Sequence, residues 1–157
     1  MNVTVNEHEY LRARIGIVAG QIGEPEPLVV VNMAPALRAD EGDPAAEPHH
    51  RLRRELRLLC YLQMRAPEGH VLHAAEEWRR SLGVRLYDHR QKYLLEQDAY
   101  DAWLLLPPPL RTRIPEPARP PELCVTDRDG HQWLINDRLL IVLDEIIRNL
   151  RKWHDSA

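Results

Sequence analysis

The residues whose types and spacing could do chemistry are His70, His73 and Glu77, with Glu76 beside them. Three and four positions apart, they share one face of a helix, where two imidazoles and a carboxylate can meet zinc or iron. The spacing departs from the His-Glu-x-x-His helix of metalloproteases, and the remaining ligand candidates are His49, His50 and His89. Two histidines three apart on a polar helix face are ordinarily surface residues. The expectation is no metal and no cofactor, with a metal-dependent enzyme on His70, His73 and Glu77 as the third-ranked reading.

Nucleophilic catalysis has less to work with. Aliphatic hydroxyls occur only at Thr4, Ser81, Thr112, Thr126 and Ser156, none in a glycine-flanked elbow. Cys60 lies among Leu58, Leu59 and Leu62, an apolar setting that raises a thiol pKa and makes it a packing residue. Cys124 is the second cysteine, and two cysteines make neither a disulfide framework nor a zinc pattern. Asp127 and Asp129 belong to a tight turn and read as turn chemistry.

Charge offers a stronger pattern. The 157 residues carry a formal charge of −3, but unevenly. Residues 1–48 hold three Arg against eight acids, 49–92 ten Arg and Lys against five, and 93–157 eight against eleven. A basic middle is flanked by acidic ends, so Arg51, Arg53, Arg54, Arg57, Arg79, Arg80, Arg85 and Arg90 form the candidate face for an anionic partner. Arg51 to Arg57 crowd the first turns of their helix, against its dipole, which points to a partner or to the acidic segment before them. Basic residues other than Lys92 and Lys152 are arginine, a bias that suggests a GC-rich bacterial or phage gene.

The elements that must carry these residues follow from periodicity and breakers. Asn6 and Glu9 have capping-box spacing, and Leu11, Ile15, Val18 and Ile22 continue a helix that Gly23 ends. Gly16 and Gly20 share a face and would admit a close neighbour. Glu24-Pro25-Glu26-Pro27 leads into Leu28–Met33, a β-branched run read as a buried strand, then a solvated loop over Ala34–Pro48 containing Asp40, Glu41 and Asp43. Helices are expected at His49–Met64, at His70–Leu82 with Gly83 as its stop, and at Leu86–Leu106. Seven prolines within Pro107–Pro121 exclude helix and favour a polyproline strap. Leu123–Thr126 and His131–Ile135 flank Asp127-Arg128-Asp129-Gly130, a hairpin signal.

The order of three helices, a Leu82-Gly83-Val84 turn and a later hairpin resembles a winged helix over about half the chain. That resemblance implies a nucleic-acid interface built from Arg79, Arg80, Arg85, Arg90 and Lys92. His89, Arg90 and Lys92 occupy a stretch where a recognition helix buries apolar residues, and the proline segment separates hairpin from helices.

The last helix, Ile135 to His154, carries Leu139, Leu143, Ile146, Leu150 and Trp153 at steps of four, three, four and three, widened by Leu140, Val142 and Ile147. This stripe is the element around which the chain is expected to be organised. It must face either the chain's own core or a second copy, and Asn136 or Asp137 is placed to cap it.

The fold class expected is α+β, mainly α, in one domain: about five helices, one buried strand, and a C-terminal hairpin followed by a long amphipathic helix. Its segments are 1–48, 49–106, 107–121 and 122–157. No stretch reaches the roughly 18 apolar residues of a membrane span, and the N-terminus has no secretory signal, so the expected location is the cytoplasm. The function expected is a noncatalytic adaptor or assembly subunit that binds a protein through the basic helices. Self-association through Leu139, Leu143, Ile146, Leu150 and Trp153 would accompany it, and nucleic-acid binding is the runner-up.

Overall fold

The computed structural model describes residues 6–23 and 47–156. Among these, the helices are α1 (Glu7–Ile22), α2 (Glu47–Arg65), α3 (Val71–Lys92), α4 (Leu94–Leu104), α5 (Pro108–Arg111) and α6 (Asp137–Ser156). Strands β1 (Leu123–Thr126) and β2 (Gln132–Ile135) pair antiparallel, with Leu123 opposite Ile135 and Thr126 opposite Gln132. The class is therefore α+β and mainly α, with the closing helix after the hairpin. The expected strand at Leu28–Met33 and most of the acidic loop lie outside the described residues.

The organising element is α2, not the last helix. Every side chain from Arg54 to Cys60 is buried, so α2 is covered all round, packed by α1, α3 and α6. Against it α6 lays Leu139, Leu143, Ile146 and Leu150, all buried. At about 1.5–3 kcal/mol per large side chain, that stripe is a main contributor to the core. The self-association expected of these four leucine and isoleucine residues is corrected accordingly, because the chain's own helices already cover them. Trp153, half-buried, stacks on Tyr10 of α1 with ring centroids 5.4 Å apart. Asn136 is the cap of α6, its Oδ1 accepting from the Leu139 amide at 2.9 Å.

Two helix ends are tied together by exchanged carboxylates. Glu7, 1% exposed, accepts from the amides of Val71 and Leu72 at 3.0 Å each, filling orphan donors at the start of α3. Glu68, just before α3, accepts in turn from the amides of Glu7 and His8 at 2.6 and 3.0 Å. His154 of α6 adds a 2.9 Å contact to Glu7. Burial would raise the Glu7 carboxyl, but the bonds from His154, Leu72 and Val71 outweigh it and hold the group below the usual glutamate range.

The hairpin is pinned by Asp127. Its Oδ1 accepts from the amides of Asp129 and His131 at 2.9 and 3.0 Å, and its Oδ2 from Trp133 Nε1 at 2.8 Å. Gly130 takes the left-handed φ of +83° that this turn demands. Trp133 then meets Tyr61 and Trp78 edge-on, at 5.4 and 5.1 Å, fastening the sheet to α2 and α3.

Three local expectations change. Gly83 does not stop a helix: α3 runs through it to Lys92. One interior glycine costs about 1 kcal/mol relative to Ala, which packing of the α3 face offsets. The Arg79 guanidinium folds across this gap, so that a Cβ at Gly83 would sit 2.7 Å from Arg79 Nη1. The break falls instead at Tyr93 (φ −112°, ψ 25°). The proline segment does admit one helical turn, α5, because its prolines occupy the first positions, where no amide is required. At Gly16 and Gly20 nothing among the described residues lies within 4 Å of an added Cβ, so no close approach uses them.

Candidate functional site: the α4–α5 arm and the arginine faces

Helix α4 has no buried residue, although it is rich in apolar side chains. Leu95 is 81% exposed and Leu105, at the helix end, 86%. Leu94, Leu104, Leu110 and Ile114 are exposed as well. The cause is compositional: Leu94-Leu95 and Leu104-Leu105-Leu106 cluster at the two ends, with Glu96, Gln97, Asp98 and Asp101 between them, so no continuous apolar stripe runs along the helix. The proline segment holds one side of α4. Trp103 Nε1 donates to the Ile114 carbonyl at 3.1 Å, and the Arg119 guanidinium lies 4.9 Å from the Tyr100 ring centroid. The segment's far end is tied to α3 by a 2.6 Å contact between His89 Nε2 and the Pro121 carbonyl. Between α3, α4, this strap and the hairpin lies a cleft of about 510 Å³ lined by Leu86, Tyr93, Leu94, Leu123 and Leu134 with Gln97 and Asp101.

The eight arginines expected to form one partner face are dispersed. Arg57 is buried, donates to the Gln132 carbonyl at 2.8 Å, and stacks 4.1 Å from the Trp133 ring centroid. Burial pushes its pKa down to about 10, with Asp127 opposing. Arg54 is buried too, and Arg53 bonds to His49 Nε2 at 3.0 Å. Arg51 pairs with Glu145, Arg79 with Asp144 at 2.8 Å and Arg90 with Asp137 at 2.7 Å, all three acids on α6. The basic middle thus answers the acids of the chain's own last helix, which is why its charge pattern alone could not locate a partner. Arg80 and Arg85 remain exposed on α3 with no acidic partner among the described residues. Arg80 also borders a groove between α3 and α6, where Arg148 is likewise unpaired and Arg151 pairs with Glu76 at 2.8 Å.

The histidine array does not assemble. His70 precedes α3 at its N-cap position and is exposed. His73 and Glu77 form an exposed pair at 3.1 Å, the ordinary surface reading of that spacing. Among the described residues, the group of three close donors is Asp127, Asp129 and His131, within 4.8 Å of one another. Its carboxylates are already engaged, Asp127 by the turn and Asp129 by Arg65 at 2.8 Å. Cys60 is buried and its thiol is pushed up to about 11 by desolvation, leaving it a packing residue. Leu82-Gly83-Val84 is helical, so the turn on which the winged-helix resemblance depends is not formed.

Sequence reasoning missed the arm, having expected it as part of one longer helix over Leu86–Leu106. The signal lay in the clustering: the leucines sit at the two ends of α4 with Glu96, Gln97, Asp98 and Asp101 between them, so no apolar stripe runs its length. No helix among the described residues is long and apolar enough to cross a membrane. Compared with known protein families, curated proteins and solved structures, the chain matches none, so its role has to be argued from its own residues.

Proposed function

We propose that the protein is a noncatalytic adaptor or subunit of a macromolecular assembly, bacterial or phage on its arginine bias, and that it docks a protein through the α4–α5 arm. One observation carries this reading: α4 buries no residue of its own while exposing Leu94, Leu95 and Leu104, with Leu105 following. Several large apolar side chains left exposed on one short helix are what an interaction site presents. The arginine face expected from the sequence shrinks to Arg80 and Arg85, which supply a polar rim instead of the main contact. Native mass spectrometry of the tagged chain from its host tests the reading. Leu95→Glu with Leu105→Glu should abolish a stoichiometric complex while leaving the melting midpoint of the isolated chain unchanged. A complex that survives this double substitution would remove the arm from the account.

A second reading, nucleic-acid binding, draws on the groove that Arg80 and Arg148 line, neither with an acidic partner among the described residues. It predicts retention on DNA or RNA that weakens with salt, and further with Arg80→Ala and Arg148→Ala. Retention indifferent to both would end it.

A further inference from the structure

We infer that the groove between α3 and α6 is a binding site for a phosphate dianion, free or as the monoester group of a small molecule, held by Arg79, Arg80, Arg148 and Arg151. The site stands apart from the arm. It shares Arg80 and Arg148 with the nucleic-acid reading and puts a compact ligand in place of a polymer.

The two helices run antiparallel, as their ion pairs show: Glu76, Arg79 and Arg90 of α3 meet Arg151, Asp144 and Asp137 of α6 in reverse order. On α3, Glu76, Arg79 and Arg80 lie three and four positions apart on one side. On α6, Asp144, Ile147, Arg148 and Arg151 do the same. Together they line a groove of about 410 Å³, within the size range of small-ligand sites, with the buried Ile147 at its floor.

Four guanidiniums therefore meet two carboxylates in the groove, and the carboxylates do not use them up. Arg79 gives Asp144 its Nε at 2.8 Å, and Arg151 gives Glu76 one Nη at 2.8 Å. A guanidinium carries five N–H donors in a planar fork, so each pair fixes its arginine and leaves other donors for a ligand. Gly83 helps to place Arg79, whose Nη1 lies where a Cβ on that glycine would come within 2.7 Å. Arg80 and Arg148 are exposed without an acidic partner among the described residues, and Arg148 lies between the two ties along α6.

The neighbouring acids bound this positive region without cancelling it. Glu77 lies close to Arg80 in sequence but lines the adjacent groove and pairs with His73 at 3.1 Å. Counting it in still leaves four arginines against three carboxylates. Asp88 lies about two turns beyond Arg80, and Asp155 about one turn beyond Arg151 in a stretch with Lys152; neither lines the groove. A nucleic-acid backbone leaving the groove would run toward these carboxylates, whereas a compact anion stays inside. The arginines come from both walls, so the tetrahedral oxygens of a phosphate can accept from both at once. A planar carboxylate presents its two oxygens to one fork.

Isothermal titration calorimetry of the full chain at low salt, with inorganic phosphate and with phenyl phosphate, tests this. Each should bind once per chain, and dimethyl phosphate, a monoanion, at least about tenfold more weakly. Equal affinities would mean that the phosphate group alone is read, and tighter phenyl phosphate that a monoester is the source; both uphold the site. Arg80→Ala with Arg148→Ala should weaken binding at least about tenfold and remove the rise in melting midpoint that phosphate gives the wild type. The ligand-free midpoint should not move, because neither side chain holds the fold together. Arg85→Ala, also exposed on α3 but outside the groove, should change affinity less than about twofold. Absence of saturable binding, a loss from Arg85→Ala equal to that of the groove variant, or dimethyl phosphate bound as tightly would each overturn the site. Duplex DNA retained through Arg80 and Arg148 while neither phosphate compound binds would overturn it and leave the nucleic-acid reading standing. Leu95→Glu with Leu105→Glu should leave phosphate binding unchanged, so this site and the arm fail or survive separately.

Discussion

Helices α6 and α4 contain similar apolar material and meet opposite fates. In α6 the large residues recur every three or four positions, so one stripe seats against α2 and α3 and seven side chains are buried. In α4 the leucines are one adjacent pair at the start, Leu94 and Leu95, and Leu104 at the end, and none is buried. The comparison teaches that the quantity of hydrocarbon in a helix does not identify a partner-binding element. Its distribution does, because a stripe repeated along the whole helix can be covered by packed neighbours and leucines confined to the two ends cannot.

The largest effect that would sharpen this contrast comes from equal truncations in the two helices. Leu143→Ala should destabilise the chain by about 2–5 kcal/mol, since it leaves a cavity at a fully buried position. Leu95→Ala should change the stability of the isolated chain by less than about 0.5 kcal/mol. Urea unfolding at low protein concentration measures both, and equal losses would break the distinction between core helix and arm.

Next in size is the clasp that holds α1, α3 and α6 together. Glu7→Gln keeps the shape but removes the charge that Val71, Leu72 and His154 stabilise, and should cost about 1–3 kcal/mol at neutral pH. The sign of the pH dependence follows from the lowered folded-state pKa. Stability from Glu7 is fully present above the unfolded value of about 4.3 and is lost as pH falls through the folded value. Acid titration of the melting midpoint should therefore show a steeper acid limb in the wild type than in Glu7→Gln; parallel limbs would count against the clasp.

Gly83→Ala should be neutral or should stabilise by up to about 1 kcal/mol, because only the movable end of Arg79 stands in the way of the new methyl. Had Gly83 ended a helix in a left-handed conformation, the same change would destabilise. The smallest effect is expected of Arg79→Ala, which removes a partly exposed pair with Asp144 worth at most about 1 kcal/mol. A loss several times larger would mean that α3 and α6 are joined by charge more than by packing.

Much of the fold was legible because its determinants are local. The Asn136 cap, the helix end at Gly23 and the hairpin turn at Gly130 each depend on a few neighbouring residues, and each is found where it was expected. The passage of α3 through Gly83 and the break at Tyr93 were not legible. The first depends on packing of the whole helix, and no proline or glycine marks the second. The candidate site was half legible. The arginines were expected to face an anionic partner or the acidic segment before them, and only tertiary structure shows that Glu145, Asp144 and Asp137 of α6 pair with three of the eight. What remained, Arg80 and Arg85, is a difference between two long lists and could not be read from either alone.

The contact between Glu7 and His154 brings the first and last helices to one buried point, 2.9 Å apart. One carboxylate there serves the amides of Val71 and Leu72 and the imidazole of His154, so loosening α1 at Glu7 should be felt by α3 and α6 at once.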